Sequence, residues 1–257
     1  MSTAYFPQHI AVLIFLCAAF TAASFWALLA TGSERAGLAR SEAKRVKTRS
    51  GMVLTAWGAL ILWGAQGNLF AVGQTVLGVP TLVLAVGLPV LAGLAALALP
   101  SYRASVTAIP LPLLPAFHII RVFFGILFLA FLELGMAPAN FALRGGYGDI
   151  AAGLLGALAA YLIVQRVRVS AQWAALGLFS TVGLLDFAIV LYTGLTTITP
   201  NSRLGTFYPF QLVPAFVVPL FILTHIFVLR AMLKTPQNLT QKGPGPAVEG
   251  SSVTTLT

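Results

Sequence analysis

Seven long apolar stretches divide this chain, separated by short polar joints that carry nearly all the positive charge on alternate sides. A helix needs about 20 mostly apolar residues to cross the hydrocarbon of a bilayer. Seven windows meet that length: His9 to Thr31, Met52 to Val72, Val76 to Leu99, Leu113 to Gly135, Gly148 to Val164, Ala171 to Thr196 and Gln211 to Ala231. In lipid every backbone N–H and C=O has to be satisfied inside its own segment, so such a chain is expected to be an all-α integral membrane bundle. Only 8% of the 257 residues are charged, against roughly 25% in a soluble domain.

The net charge of +9 would point to nucleic acid in a soluble protein. Here its distribution points to membrane orientation instead. Arg35, Arg40, Lys44, Arg45, Lys47 and Arg49 in the first joint, Arg103 in the third, Arg166 and Arg168 in the fifth, and Arg230, Lys234 and Lys242 at the C-terminal end would share one side. Arg144 and Arg203 would face the other. The positive-inside rule then places the N-terminus outside and the C-terminus in the cytoplasm. No Lys or Arg precedes the first span and its apolar run is long, so it reads as a span and not as a signal peptide. The single cysteine, Cys17, excludes an intramolecular disulfide and a cysteine-rich metal site.

The short joints leave no room for a soluble domain, so residues 1–234 are expected to form one transmembrane domain. From Thr235 to Thr257 the chain is rich in Pro, Gly, Gln, Ser and Thr, and it is expected to be a disordered cytoplasmic tail. The stretch Gly32 to Ser50 reads as a solvated stop-transfer loop, or alternatively as a short helix against anionic lipid of the inner leaflet. Pro80, Pro89, Pro115, Pro214 and Pro219 predict kinks. Gly148, Ala152, Gly156 and Ala160 form a small-residue stripe suited to close helix packing.

An ionisable group inside a span costs at least about 2.5 kcal/mol at its centre, so each such group calls for a partner or a purpose. Counting depth along straight helices gives two layers. The inner layer holds His118, Arg121 and His225; the outer one holds Glu133, Asp149 and Asp186, with Gln66, Asn68 and Tyr192 nearby. Two histidines at one depth on different spans could ligate haem b axially, with Arg121 meeting a propionate. The alternative is hydrogen bonding between helices. Carboxylates facing a wet vestibule could bind a cation or relay protons. Arg121 and Asp186 differ by about 10 Å in nominal depth, a gap that long side chains or tilt could close into a buried ion pair. The stretch Gly146 to Asp149 reads as a glycine turn feeding a helix, with Asp149 in its first turn where the helix dipole favours a carboxylate.

Gly146-Tyr147-Gly148-Asp149 resembles the Gly-x-Gly-Asp motif of intramembrane aspartyl proteases such as presenilin and the prepilin peptidases. That resemblance implies a catalytic pair of carboxylates sharing one proton, for which Asp186 is the candidate partner of Asp149. The order of the two aspartates and Pro214-Ala215-Phe216, only a partial echo of the Pro-Ala-Leu signature, depart from presenilin. A longer pattern covers about the second half of the chain. His118-x-x-Arg121, Pro138-x-x-Phe141-Ala142, Gly146-x-Gly148-Asp149 and Pro214-Ala215-Phe216-x-x-Pro219 with His225 are similar to a group of uncharacterised bacterial polytopic membrane proteins. That resemblance implies a bacterial inner-membrane location and leads to an expectation of Gln where this chain has His118.

Together these readings favour binding or translocation of a small solute, ion or proton among spans four to seven, and a non-enzymatic role. Arg121 and Asp186 form the central pair, Glu133 and Asp149 the outer mouth, and His118 and His225 the inner side. Rival readings are the Asp149/Asp186 protease, the His118/His225 haem protein and a structural or sensory component. The lipid bilayer is the expected partner, nucleic acid is not, and a homo-oligomer is left open. A retinal protein is disfavoured, since Lys234 lies beyond the last span.

Overall fold

The computed structural model describes residues 8–71, 73–198, 204 and 208–234. The tail from Thr235 onward and Arg203 lie outside the described residues. Among the described residues the protein is all-α apart from one hairpin of two-residue strands. Helix α1 (Gln8–Arg35) and α2 (Arg40–Gln66) pack together, followed by strands β1 (Thr75–Val76) and β2 (Val79–Pro80). Then come α3 (Thr81–Ala96), α4 (Pro100–Thr107), α5 (Leu113–Ala116), α6 (Ile120–Glu133), α7 (Ala139–Val164), α8 (Val169–Thr197) and α9 (Val218–Lys234). A 3-10 turn at Phe117–Ile119 joins α5 to α6.

Among the described residues, five helices are long and apolar enough to cross a membrane: α1, the continuous run Leu113–Glu133, α7, α8 and the run Tyr208–Lys234. The pair α3 and α4, bent by 98°, adds a sixth if counted as one span. This is an integral membrane architecture. Most windows read from the sequence coincide with helices, but the second, Met52 to Val72, is helical only as far as Gln66 and is not among the five, and three further corrections apply.

The first joint is not a loop. Arg40 to Ser50 are the opening turns of α2, continuous with its apolar half. Arg, Lys, Glu and Ala are all good helix formers, and the turn is pinned to α1 by an exposed Lys47–Glu34 ion pair of 2.9 Å and by Trp26 Nε1 donating to the Lys47 carbonyl. The third window opens as a hairpin, turning at Leu77 and Gly78, both at positive φ, so its helix starts only at Thr81. The fifth span begins at Ala139 rather than Gly148, after Pro138. The expected glycine turn at Gly146 to Asp149 is therefore helix interior. Glycine is tolerated there because α6 lies against it: a Cβ on Gly146 would strike Leu129, and one on Gly125 would strike the Gly146 carbonyl.

This close approach organises the bundle. Helix α7 sits between α6 and α8, with its longest packing along both. Gly156, in the small-residue stripe, admits the Pro115 carbonyl and Phe179, so the stripe serves packing as its spacing suggests. Helix α9 closes the assembly against α3 and α8. It is approached through a 3-10 turn at Tyr208–Gln211 and a π-helical turn at Val213–Val217. Pro214 lies within that wide turn and Pro219 two residues after it, and neither can donate a backbone hydrogen bond. At one end of the bundle, Arg35 of α1, Arg103 of α4 and Lys234 of α9 line a common surface hollow.

Candidate functional site

Arg121 stands one residue into α6 with its side chain fully buried. Its Nε donates to Asp149 Oδ1 of α7 at 2.7 Å, and Nη2 donates to Asp186 Oδ2 of α8 at 2.5 Å. Nη1 lies 3.3 Å from His225 Nε2 of α9. The guanidinium also stacks on Phe187, with Cζ 4.0 Å from the ring centre, a geometry in which the ring quadrupole adds to the attraction. One side chain thus ties four helices together. Because Arg121 only donates, His225 Nε2 accepts and its proton sits on Nδ1.

Beyond His225 the polar path continues. The His118 and His225 ring centres are 4.2 Å apart, and His118 Nε2 is 2.8 Å from Thr224 Oγ1. The Thr224 hydroxyl is within reach of the Leu220 and Phe221 carbonyls, so donating there leaves it an acceptor for His118 Nε2–H. The two rings pack among Phe117, Phe179 and Phe221. Rings in such contact leave no gap for a porphyrin between them, so this arrangement does not fit a haem ligated by the pair.

The two expected layers are therefore one cluster. Depth counted along straight helices put Asp149 too far out because its helix was started nine residues late, and the reach of Arg121 closes the remaining gap. Asp149 belongs with Arg121 and Asp186 and not at an outer mouth. Glu133 does not join them: it ends α6, exposed, about 18 Å along the helix from Arg121. Gln66 instead donates to Tyr208, Asn68 sits in the turn after α2 at positive φ, and Tyr192 is exposed.

Glycines make the cluster sterically feasible. A Cβ on Gly148 would land on the Asp186 carboxylate, and one on Gly183 would strike His225 and Arg121. Gly148 and Gly183 thus clear space for charged and polar groups, a role that spacing alone did not reveal. Gly148 of the Gly-x-Gly-Asp stretch admits one carboxylate while Asp149 supplies the other.

Asp149 and Asp186 also line a cavity of about 300 Å³ bounded by α3, α6, α7, α8 and the wide turn before α9. Among the described residues its wall is otherwise apolar apart from Gln211. Gln211 is only 3% exposed, and neither its Nε2 nor its Oε1 has a hydrogen-bond partner among the described residues. The sequence reading placed Gln211 at the edge of the last span and gave it no role; its signal was an amide at the mouth of an otherwise apolar run.

A family profile described as a domain of unknown function (DUF8737) matches residues 79–233, more than half of the chain. The chain belongs to the DUF8737 family. No curated protein and no solved structure matches it. The DUF8737 region contains Arg121, both aspartates, both histidines and Gln211, whereas α1 and α2 lie outside the matched residues. DUF8737 here is a membrane domain whose helices α6 to α9 converge on one buried arginine.

The contact with Thr224 gives a direct test. His118→Gln retains an N–H donor and should cost about 1 kcal/mol, whereas His118→Ala, which also empties ring volume, should cost about 2–4 kcal/mol. Denaturant titration in mixed micelles measures both. Equal losses would mean that the bond to Thr224 contributes nothing.

Proposed function

We propose that this protein binds or translocates a small solute, ion or proton, with Arg121, Asp149 and Asp186 as its charged site and His225 and His118 as its inner continuation. The observation that carries this reading is the mismatch of two carboxylates against one guanidinium. A structural tie would close with one carboxylate, since each additional charge in a bilayer interior is costly. The second leaves a surplus negative charge for a proton or a cation to balance, at the wall of a cavity. The protease reading has less support. A catalytic dyad shares one proton between two carboxylates, whereas here each aspartate is held by a different nitrogen of Arg121.

We further read the apolar half of α2 and the bent α3–α4 pair as spans, which gives seven crossings with the N-terminus outside. The gathering of Arg35, Arg103 and Lys234 at one end supports that orientation. A bacterial inner membrane is the location that the sequence resemblance supports.

The test is proton or cation flux into proteoliposomes under an imposed potential, read by a trapped pH dye and by tracer cations. Wild type should exceed protein-free vesicles, and Asp186→Asn, inserted at equal density, should lose at least tenfold. Rates in wild type equal to those of empty vesicles would overturn translocation. Rates unchanged in Asp186→Asn would remove the surplus carboxylate from the mechanism.

A further inference from the structure

The cavity beside Asp149 and Asp186 has a composition that specifies a ligand class. Seven of its lining residues are phenylalanine, including Phe124, Phe187 and Phe221. Among the described residues that line it, the charged side chains are two carboxylates, and no described Lys, Arg or His joins them. Arg121 meets those carboxylates without being part of the wall. Gln211, almost wholly buried, brings an amide with no partner among the described residues to the same cavity. A buried amide left unmatched is costly, and such a group in a native protein calls for an explanation.

We propose that the cavity binds a lipophilic ammonium compound, its apolar body among the phenylalanines and its protonated amine between the Asp149/Asp186 carboxylates and the Gln211 amide oxygen. This rests on the solute-binding reading above and narrows it to one substrate class. Each component excludes an alternative. An anion meets two carboxylates, and like charge at close range is a strong rejecting element. A pure hydrocarbon leaves Gln211 unmatched. A cation without an apolar body forgoes the aromatic wall, where rings attract organic cations through their quadrupoles. A volume of about 300 Å³ suits a single ring with a short chain, and a two-tailed aminophospholipid does not fit within it.

The test uses the full-length protein in mild detergent and three probes of similar shape: 4-phenylbutylamine, 4-phenylbutan-1-ol and 5-phenylpentanoate. Isothermal titration calorimetry should show saturable binding of the amine, at least tenfold weaker binding of the alcohol, and no binding of the carboxylate. Gln211→Leu should weaken the amine about tenfold, the loss of one charge-assisted hydrogen bond. Asp186→Asn should abolish the preference for amine over alcohol. Should Asp186→Asn fail to fold, Gln211→Leu, outside the ion cluster, still decides. Alcohol or carboxylate bound as tightly as the amine, and weakened by Gln211→Leu, would overturn the ammonium class while leaving a solute site intact. Amine binding indifferent to both variants would place the probe elsewhere and overturn the proposal. No binding of any probe would also overturn it, and the flux measurement, which needs no organic ligand, then judges the broader reading independently.

Discussion

Arg121→Leu is expected to destabilise the protein by about 3–5 kcal/mol, the characteristic cost of removing one partner from a buried ionic cluster. Two carboxylates would be left facing each other without a counter-charge, on side chains at most 10% exposed. His225 would lose its Nε2 contact, and Phe187 the guanidinium stacked on it. Arg121→Lys is no substitute, because a single ammonium cannot place separate donors on Asp149, Asp186 and His225 in a fixed plane. The cause can be isolated by neutralising the aspartates together. In Arg121→Leu combined with Asp149→Asn and Asp186→Asn, much of the loss should be recovered, since the penalty lies in uncompensated charge more than in the missing contact. Reversible unfolding in mixed micelles measures both variants. A single-mutant loss below about 1 kcal/mol would contradict a buried Arg121 cluster of this kind.

Gly148→Ala reverses the usual sign of a glycine substitution. In an unconstrained helix interior, Ala is favoured over Gly by roughly 0.8–1.0 kcal/mol. At Gly148 the added methyl would occupy the place of the Asp186 carboxylate. Either α7 and α8 move apart or Asp186 swings off Arg121, and overpacking of this kind costs typically 1–3 kcal/mol. The expected outcome is net destabilisation, with loss of whatever depends on Asp186. Gly87 in α3 is the control: a Cβ there meets nothing within 4 Å, so Gly87→Ala should be neutral or stabilising by up to about 1 kcal/mol. Equal responses at the two positions, followed by thermal unfolding, would mean that Gly148 does not clear space for Asp186.

What the sequence disclosed and what it concealed follow from the same geometry. Apolar length is a one-dimensional property, so the windows Leu113 to Gly135, Ala171 to Thr196 and Gln211 to Ala231 fell within a few residues of the helical runs Leu113–Glu133, Val169–Thr197 and Tyr208–Lys234. Burial cost then singled out Arg121, Asp149, Asp186, His118 and His225. Rotation and tilt are not one-dimensional. Which of these side chains met could not be read from depth alone, and Glu133, at the C-terminal end of α6, was grouped with residues it does not approach. Asp149 was misplaced for a local reason: Gly146 to Asp149 read as a turn, whereas contact of Gly146 with α6 and of Gly148 with Asp186 of α8 makes the two glycines closely packed positions inside a helix. Gln211 lacked a charge to draw attention, and its significance comes from having no partner, which only packing reveals. The Arg40 to Ser50 stretch shows the opposite failure, a run of charges read as solvated loop that its helix propensity carries straight into α2.

The way Arg121 gathers its partners has a consequence in time as well as in space. The residues it contacts follow it at intervals of 28, 65 and 104 along the chain. During synthesis the arginine therefore emerges before any of its three partners exists. Of these three the first to arrive is Asp149, on the very next long helix, so α6 and α7 can enter the bilayer as a hairpin in which Arg121 already has one carboxylate partner. Asp186 comes only with α8, and His225 last of all. The surplus charge is thus added to an already neutral pair, and the four-helix junction is complete only when α9 has been made.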